Sequence, residues 1–179
     1  MLIADPQHDG YDIPRGQIVS KGIDFDMTGN ITPSLVVNAN YEYVNAKVTK
    51  DSDPKIVGIK NYGTPDHAAN LWLQYRLLQG KLKGLSFSMG DQYLSKRSAV
   101  YYLDVPDKPK YLPGYNLIDA GIDFSNDQFN IGLHFYNITN IQYAQRGFFN
   151  FSTNEWRYMP GEPVNFRLNF GVNLGHQKN

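Results

Sequence analysis

The sequence predicts an all-β protein, an antiparallel up-and-down transmembrane β-barrel segment with about seven long strands, short periplasmic turns and long extracellular loops. First, residues 164–174 alternate without exception between apolar side chains and polar or small ones. A tilted strand needs about 9–11 residues to cross a bilayer, whereas an ordinary strand has about 5–6. Second, short and long connections alternate between the predicted strands. Third, the chain has 13 Tyr, 10 Phe and 2 Trp, and rings with a polar end suit a membrane interface.

Seven segments show the two-residue alternation of a strand with one apolar face. In chain order, their apolar positions are Ile23, Phe25 and Met27; Leu35, Val37, Ala39, Tyr41 and Tyr43; Ala69, Leu71, Leu73, Tyr75 and Leu77; Leu85, Phe87, Met89 and Tyr93; Ile118, Ala120, Ile122 and Phe124; Phe129, Ile131, Leu133 and Phe135; and the even positions of 164–174. The intervening positions are mostly Asn, Ser, Asp and Gly, which suits a water-filled lumen. Asp91 interrupts the apolar face, so we expect it off-centre or at a bulge, where a charge costs less.

The connections sort by length. Gly and Pro or Asn and Asp mark short turns, and polar stretches mark long loops. The short turns are 29–33, 79–81 and 126–127, the long loops are 45–66, 95–114 and 141–163, and the first twenty residues are expected to end a further loop. Bacterial outer-membrane barrels have short periplasmic turns and longer extracellular loops. The long loops are therefore expected outside the cell and the C-terminus in the periplasm.

Composition and spacing exclude several kinds of function. The 17 basic and 17 acidic residues favour neither nucleic acid nor a charged membrane surface, and no cysteine is present. The four His share no ligand spacing, so we expect no metal and no cofactor. No nucleophile–base pair, phosphate loop or paired-acid spacing is found, so no enzyme is expected. The first residues lack the features of a signal peptide, so an outer-membrane location would require an export signal in a missing N-terminal portion.

Six short stretches, in the same order along residues 17–174, resemble motifs of one known family. They are Ser-Lys-Gly-Ile-Asp-Phe-Asp at 20–26 followed by Gly29 and Pro33, Tyr-Glu-Tyr at 41–43, Thr-Pro-Asp-His-Ala-Ala-Asn-Leu-Trp at 64–72, Leu-Pro-Gly-Tyr-Asn-Leu-Ile-Asp at 112–119, Asn-Ile-Thr-Asn-Ile-Gln-Tyr at 137–143 and Pro-Gly-Glu-Pro-Val-Asn-Phe-Arg-Leu at 160–168. This series resembles the TonB-dependent outer-membrane receptors, in particular the siderophore-receptor branch. Each motif alone is weak, and their shared order makes the resemblance specific.

The resemblance implies a barrel of about 22 strands plugged by an N-terminal domain, which imports ferric siderophores with energy from an inner-membrane complex. Residues 1–179 would be the C-terminal portion of that barrel, in the outer membrane of a Gram-negative bacterium, without the plug and the earlier strands. The implied partners are a ferric siderophore, outer-membrane lipid, the TonB complex through the missing N-terminal region, and the barrel-assembly machinery. Open alternatives are vitamin B12, haem or oligosaccharide as substrate, a passive porin, and a soluble carbohydrate- or lipid-binding barrel, which the loop pattern disfavours.

Ligand contacts are expected from the second and third long loops, because aromatic faces and guanidinium groups suit flat, often anionic chelates. The candidates are Lys96, Arg97, Tyr101, Tyr102, Arg146, Phe148, Phe149, Trp156, Arg157 and Tyr158. The alternative for each aromatic residue is packing between loops or a place in the outer girdle.

Other side chains are expected to have structural roles. Tyr41, Tyr43, Tyr75 and Tyr93 are expected to contact lipid or its interface, and the inward Glu42, Arg76, Asp119, Asp123 and Arg167 are expected to pair within the lumen. Seven strands alone leave two unpaired edges, which are costly in lipid. We therefore expect no closed, stable monomer from this chain by itself.

Overall fold

The computed structural model describes residues 2–4, 7–14, 16–51, 54–99 and 111–175, of which 2–4 and 12–14 are described by their backbone alone. Its strands are β1 (Leu2–Ala4), β2 (Asp12–Pro14), β3 (Gln17–Thr32), β4 (Leu35–Lys50), β5 (His67–Arg76), β6 (Leu85–Leu94), β7 (Arg97–Ser98), β8 (Tyr111–Leu112), β9 (Tyr115–Ser125), β10 (Phe129–Tyr136), β11 (Ala144–Asn150), β12 (Glu155–Pro160) and β13 (Asn165–Val172). Residues Pro54–Ile56 form a 3₁₀ turn. Within the described ranges, no helix is long and apolar enough to cross a membrane.

Seven of these strands form one antiparallel sheet in the order β13-β10-β9-β6-β5-β4-β3. They are the seven long strands that the sequence predicts, and each pairs with its neighbours along the chain. The sheet is open, with β13 at one edge and β3 at the other. Its connections alternate in length as expected: 33–34, 77–84 and 126–128 are short, and 51–66, 95–114 and 137–164 are long.

The register aligns the apolar positions of all seven strands on one face. Directly paired residues point to the same side of a sheet, and Leu133 pairs with Ile122 on one side and with Leu168 on the other. Phe166, Leu168 and Phe170 of the edge strand β13 are between 62% and 69% exposed. Such a continuous exposed apolar face is typical of a surface that another apolar phase covers.

The opposite face carries a polar network. Asn70 donates a hydrogen bond to Asn40 (2.8 Å), and the Nε2 of His134 lies 2.9 Å from the Oδ1 of Asp123. Arg167 lies over the ring of Tyr136, with 5.6 Å between the guanidinium carbon and the ring centroid. Of the five predicted inward charges, Asp123 and Arg167 therefore have partners on this face, which are the imidazole of His134 and the ring of Tyr136.

Glycine allows one large side chain to lie flat on this polar face. Trp72 of β5 is directly opposite Gly90 of β6. A Cβ atom at position 90 would lie 2.5 Å from the indole ring. The indole therefore covers the backbone of β6, which fixes the two strands in register.

Asp91 lies on the apolar face, as its position in the alternation requires. The pairing of β6 with β5 and with β9 passes through Asp91 without a register shift, so the predicted bulge is absent there. The residue lies three positions before the end of β6 at Leu94, on the side of the long connections. The off-centre alternative is therefore correct. Its Oδ1 atom is buried and accepts no hydrogen bond from the described residues.

The start of β3 and both ends of the last strand differ from the predicted positions, because each strand extends only as far as its partner strand pairs with it. The first twenty residues are not all loop, because β1 and β2 pair and β3 begins at Gln17, opposite Lys50. The last strand covers Asn165–Val172 rather than 164–174, because its partner β10 ends at Phe129 and Tyr136.

The first long loop is also shorter than predicted, because β4 continues to Lys50. The apolar residues of β4 change face near Asn45: Ala46 and Val48 are buried on the polar face of the sheet, whereas Tyr41 and Tyr43 are on the apolar face. Ile56 and Ile59 cover Val48. Because the apolar side chains move from one face of β4 to the other, the two-residue alternation that indicates a strand is interrupted there. The sequence therefore predicts a loop from residue 45.

Candidate ligand-binding site

The three long connections meet at one end of the sheet. They surround a cavity of about 860 Å³ that is lined by residues 61–64 of the first connection, 97–99 and 112 of the second, and 145–148 of the third. A second cavity of about 760 Å³ lies between residues 113–114, 140–144 and the segment 158–163. The long connections therefore form two cavities at this end of the sheet.

Asn137 lies at the start of the third long connection and holds its two ends together by hydrogen bonds. It is buried, with 3% of its surface exposed, and its φ of 49° turns the chain directly after β10. Its side chain donates hydrogen bonds to the carbonyl oxygens of Ile141 (2.9 Å) and Glu162 (3.0 Å) and accepts one from the backbone N–H of Ile141 (2.9 Å). Its own N–H donates to the Oδ1 of Asp119 (2.8 Å). Both ends of the connection are thus tied to the side chain of Asn137, which lies in the motif at 137–143 and is not among the predicted ligand contacts.

Arg97 joins the second connection to the third. Only 6% of its surface is exposed, and its Nη2 donates hydrogen bonds to the carbonyl oxygens of Ala144 (3.0 Å) and Gln145 (2.9 Å). Its guanidinium carbon lies 5.5 Å from the centroid of the Tyr115 ring. This cation is therefore held between loops, and its contacts are those of a residue that positions the cavity wall.

Residues 144–160, within the long loop predicted at 141–163, form a hairpin of β11 and β12. The pairing places the six candidates of this segment on two faces. One face carries Phe149, Trp156 and Tyr158, and the other carries Arg146, Phe148 and Arg157.

On the first face Phe149 is buried and Trp156 half-buried, whereas Tyr158 is 49% exposed. The ring centroids of Phe149 and Trp156 are 5.6 Å apart in an edge-to-face arrangement, and Trp156 stacks on Tyr158 at 6.5 Å. A Cβ at Gly147, on the same face, would meet the side chains of Ala99 and Leu112 at 3.0 and 3.2 Å. Phe149 and Trp156 therefore make the packing contacts that were the alternative for them, and a ligand contact by any of the three aromatic residues stays a prediction.

The second face is open. Arg146, Phe148 and Arg157 are exposed, and Arg146 and Phe148 line the larger cavity. Lys96 is also exposed, with its Nζ 5.8 Å from the centroid of the Tyr111 ring. Tyr101 and Tyr102 lie outside the described residues. In the part of the chain that is described, no group of three or more His, Asp and Glu side chains is placed to hold a metal ion.

Residues 4–141 match the model of a protein family described as TonB dependent receptor-like, beta-barrel. The metal-pseudopaline receptor CntO of Pseudomonas aeruginosa is 28% identical over 174 residues, which cover 97% of this chain and 23% of that receptor. The ferrichrome outer membrane transporter/phage receptor of Escherichia coli K12 is 26% identical over 148 residues, covering 80% of this chain and 19% of the relative.

The fold of this chain is also similar to that of a solved receptor structure. The closed form of the ferric-catecholate import receptor Fiu from E. coli K12 superposes with a TM-score of 0.70 at 25% identity, over 96% of this chain and 23% of that one. The chain thus spans about a quarter of the length of the relatives it matches.

Proposed function

This chain belongs to the TonB-dependent receptor-like β-barrel family, and we propose that it forms part of an outer-membrane receptor for energised uptake of ferric siderophores in a Gram-negative bacterium. In this proposal residues 1–179 correspond to the C-terminal portion of the barrel. The order of the family motifs along the chain and the two free edges of the sheet support this assignment. Further strands would pair with β3 and β13, because unsatisfied backbone groups are costly in lipid.

The observation that carries the proposal is the cavity of about 860 Å³ at the meeting point of the three long connections. The exposed guanidinium of Arg146 and ring of Phe148 lie on its wall. A guanidinium can donate two parallel hydrogen bonds to an anionic chelate, and an aromatic ring can stack on its flat face. Iron would arrive already chelated, so this site needs no protein ligand to the metal.

The remaining partners follow from the same proposal. The apolar face of the sheet would contact outer-membrane lipid, and insertion would need the barrel-assembly machinery. Coupling to the TonB complex would pass through a region outside these 179 residues. Within this proposal the chain binds and gates, and no bond of the ligand is made or broken.

An uptake assay tests the ligand class. A strain that lacks the gene is complemented with the unchanged gene or with the double variant R146A/F148A, and accumulation of iron-55 is measured with catecholate and hydroxamate chelates. We expect the variant to lower the apparent affinity at least about tenfold, because a charge-assisted contact contributes about 1.5–3 kcal/mol.

The matched control is L82A/K83A, which changes two exposed residues of the short connection at the other end of the sheet. It should leave uptake unchanged. Uptake of haem, vitamin B12 or an oligosaccharide instead of ferric chelates would keep the family and overturn the siderophore assignment.

A further inference from the structure

The β11–β12 hairpin is joined to the sheet by a short neck, which consists of residues 137–143 and 161–164. The two halves of the neck are bonded to each other, because the N–H of Gly161 donates a hydrogen bond to the carbonyl oxygen of Tyr143 (2.8 Å). The ring of Tyr143 also covers Gly161 so closely that a Cβ atom would not fit there. The position of the hairpin therefore depends on how this neck is held.

Asn137 holds the two halves of the neck together through its side-chain amide. The Nδ2 donates hydrogen bonds to the carbonyl oxygens of Ile141 and Glu162, and the Oδ1 accepts one from the N–H of Ile141. Both donor hydrogens and the acceptor of this buried amide are thus used. An aspartate of the same size has acceptors only, so it would face two carbonyl oxygens without a donor.

The backbone of Asn137 joins the neck to the sheet. Its N–H donates to the Oδ1 of Asp119 on β9 (2.8 Å), and the next N–H, of Ile138, donates to the carbonyl oxygen of Ile118 (2.8 Å). The φ of Asn137 is 49°, in the left-handed region that glycine and asparagine adopt more readily than other residues. Side-chain chemistry and backbone conformation therefore both favour asparagine at this position.

Three of the motif stretches, which are far apart in the sequence, meet at Asn137. They are the stretches at 112–119, 137–143 and 160–168. Asp119 belongs to the first and Glu162 to the third, and both are direct partners of Asn137. The uptake proposal assigns no role to this junction.

The hairpin carries the two side chains on which ligand binding is proposed to depend. Arg146 and Phe148 line the larger cavity, whereas Asn137 lines neither of the two cavities described above. Arg97 holds β11 from the side, and Asn137 holds the neck from which the hairpin extends. A loop that is already held in its bound position binds more tightly, because less conformational freedom is lost on binding.

We propose that Asn137 is a positioning residue, which sets the affinity for the chelate by fixing the β11–β12 hairpin at the larger cavity. It acts through Arg146 and Phe148 and does not touch the ligand itself. This inference rests on the proposed function, since it requires that these two side chains contact the ligand.

The test is a double-mutant cycle in the complete receptor, in the strain and with the ferric chelates of the uptake assay. The variant N137G removes the amide and keeps a residue that adopts a positive φ. The variant N137D keeps the size of the side chain but has no donor. The control N154G makes the same change as N137G at the exposed tip of the hairpin, where Asn154 has a φ of 53°. The amount of receptor at the cell surface is measured for each variant.

We expect N137G and N137D to raise the half-saturating chelate concentration about tenfold, with the maximal rate per receptor unchanged, because the freed hairpin must be ordered on binding. In the R146A/F148A background the same variants should change that concentration by less than about twofold, since the contacts through which they act are already lost. N154G should stay within about twofold in both backgrounds. An equal loss in both backgrounds would overturn the proposal, and so would a lower maximal rate at an unchanged half-saturating concentration.

Amide hydrogen exchange of the purified receptor needs no ligand and therefore separates this inference from the proposed function. N137G should make exchange over residues 138–164 at least about tenfold faster, as expected for the loss of buried hydrogen bonds, whereas N154G should affect only the tip of the hairpin. Unchanged exchange in N137G would show that Asn137 does not position the hairpin. Faster exchange in N137G, in a receptor that takes up no ferric chelate, would overturn the proposed function and the effect on affinity but not the positioning of the hairpin.

Discussion

Single side chains decide how the long connections are held at the end of the sheet. A ligand contact by Arg97 stays a prediction, and in the structure its hydrogen bonds go to backbone carbonyls of the next connection. Asn137 was not predicted at all. Its role depends on a φ of 49° and on a partner at Glu162, far along the chain, and neither is visible in a local pattern. The sequence could therefore predict that Arg97, Arg146 and Phe148 lie in the long connections that line the cavity, but it could not predict their partners.

Asp91 gives a prediction at the same scale. It is directly opposite Leu71 and Ile118 on the apolar face, and its buried Oδ1 accepts no hydrogen bond from the described residues. Replacing it by leucine should stabilise the protein in a bilayer by about 1 kcal/mol, because a charge on the lipid face is unfavourable even off-centre. The measurement is the urea midpoint of the protein in phospholipid vesicles.

Asp123 provides the matched control for that experiment. It lies on the polar face, where its Oδ1 contacts His134 at 2.9 Å. The variant D123L should lower the urea midpoint, because it removes the contact with His134, whereas D91L should raise it. A lower midpoint for D91L would mean that the carboxylate has a favourable partner in the membrane.

At the scale of the elements, the sequence predicts what is periodic and fails where periodicity changes. All seven strands of the sheet were predicted, because each one has a stretch in which its apolar residues lie on a single face. The end of β4 was missed where Ala46 and Val48 turn to the other face. The β11–β12 hairpin was missed because both of its faces carry large side chains, so that no apolar alternation marks it.

The hairpin is also the element whose position a single variant should change. Its β11 strand is tied to the second connection by the two hydrogen bonds of Arg97, and a hydrogen bond to a charged group contributes about 1.5–3 kcal/mol. The variant R97M removes both bonds but keeps an apolar stem of similar length. We expect amide hydrogen exchange to become at least about tenfold faster over residues 144–160.

The sheet strands provide the internal reference, and exchange in β9 and β10 should not change. The control R146M removes an exposed cation from the same hairpin, and it should leave exchange over residues 144–160 unchanged. If R97M and R146M give the same protection as the unchanged protein, the hairpin is held by its aromatic face rather than by Arg97.

At the scale of the whole molecule, the apolar face of the sheet and its two edge strands, β3 and β13, determine whether the chain associates in water. The apolar face is continuous across seven strands, and both edge strands have backbone groups available for pairing. An exposed sheet edge beside an apolar face promotes association between copies.

This gives the last prediction. Residues 1–179, refolded alone in water without detergent, should form oligomers or aggregates rather than a discrete monomer, because Phe166, Leu168 and Phe170 would face water on an unpaired edge strand. Light scattering after size-exclusion chromatography measures the mass directly. The variant F166K/F170K should increase the soluble fraction, since charged side chains on an edge strand oppose association. The variant K81Q/K83Q, which leaves β13 unchanged, should not. A folded monomer of 20.4 kDa in water would contradict the prediction and would favour a soluble β protein over a barrel segment.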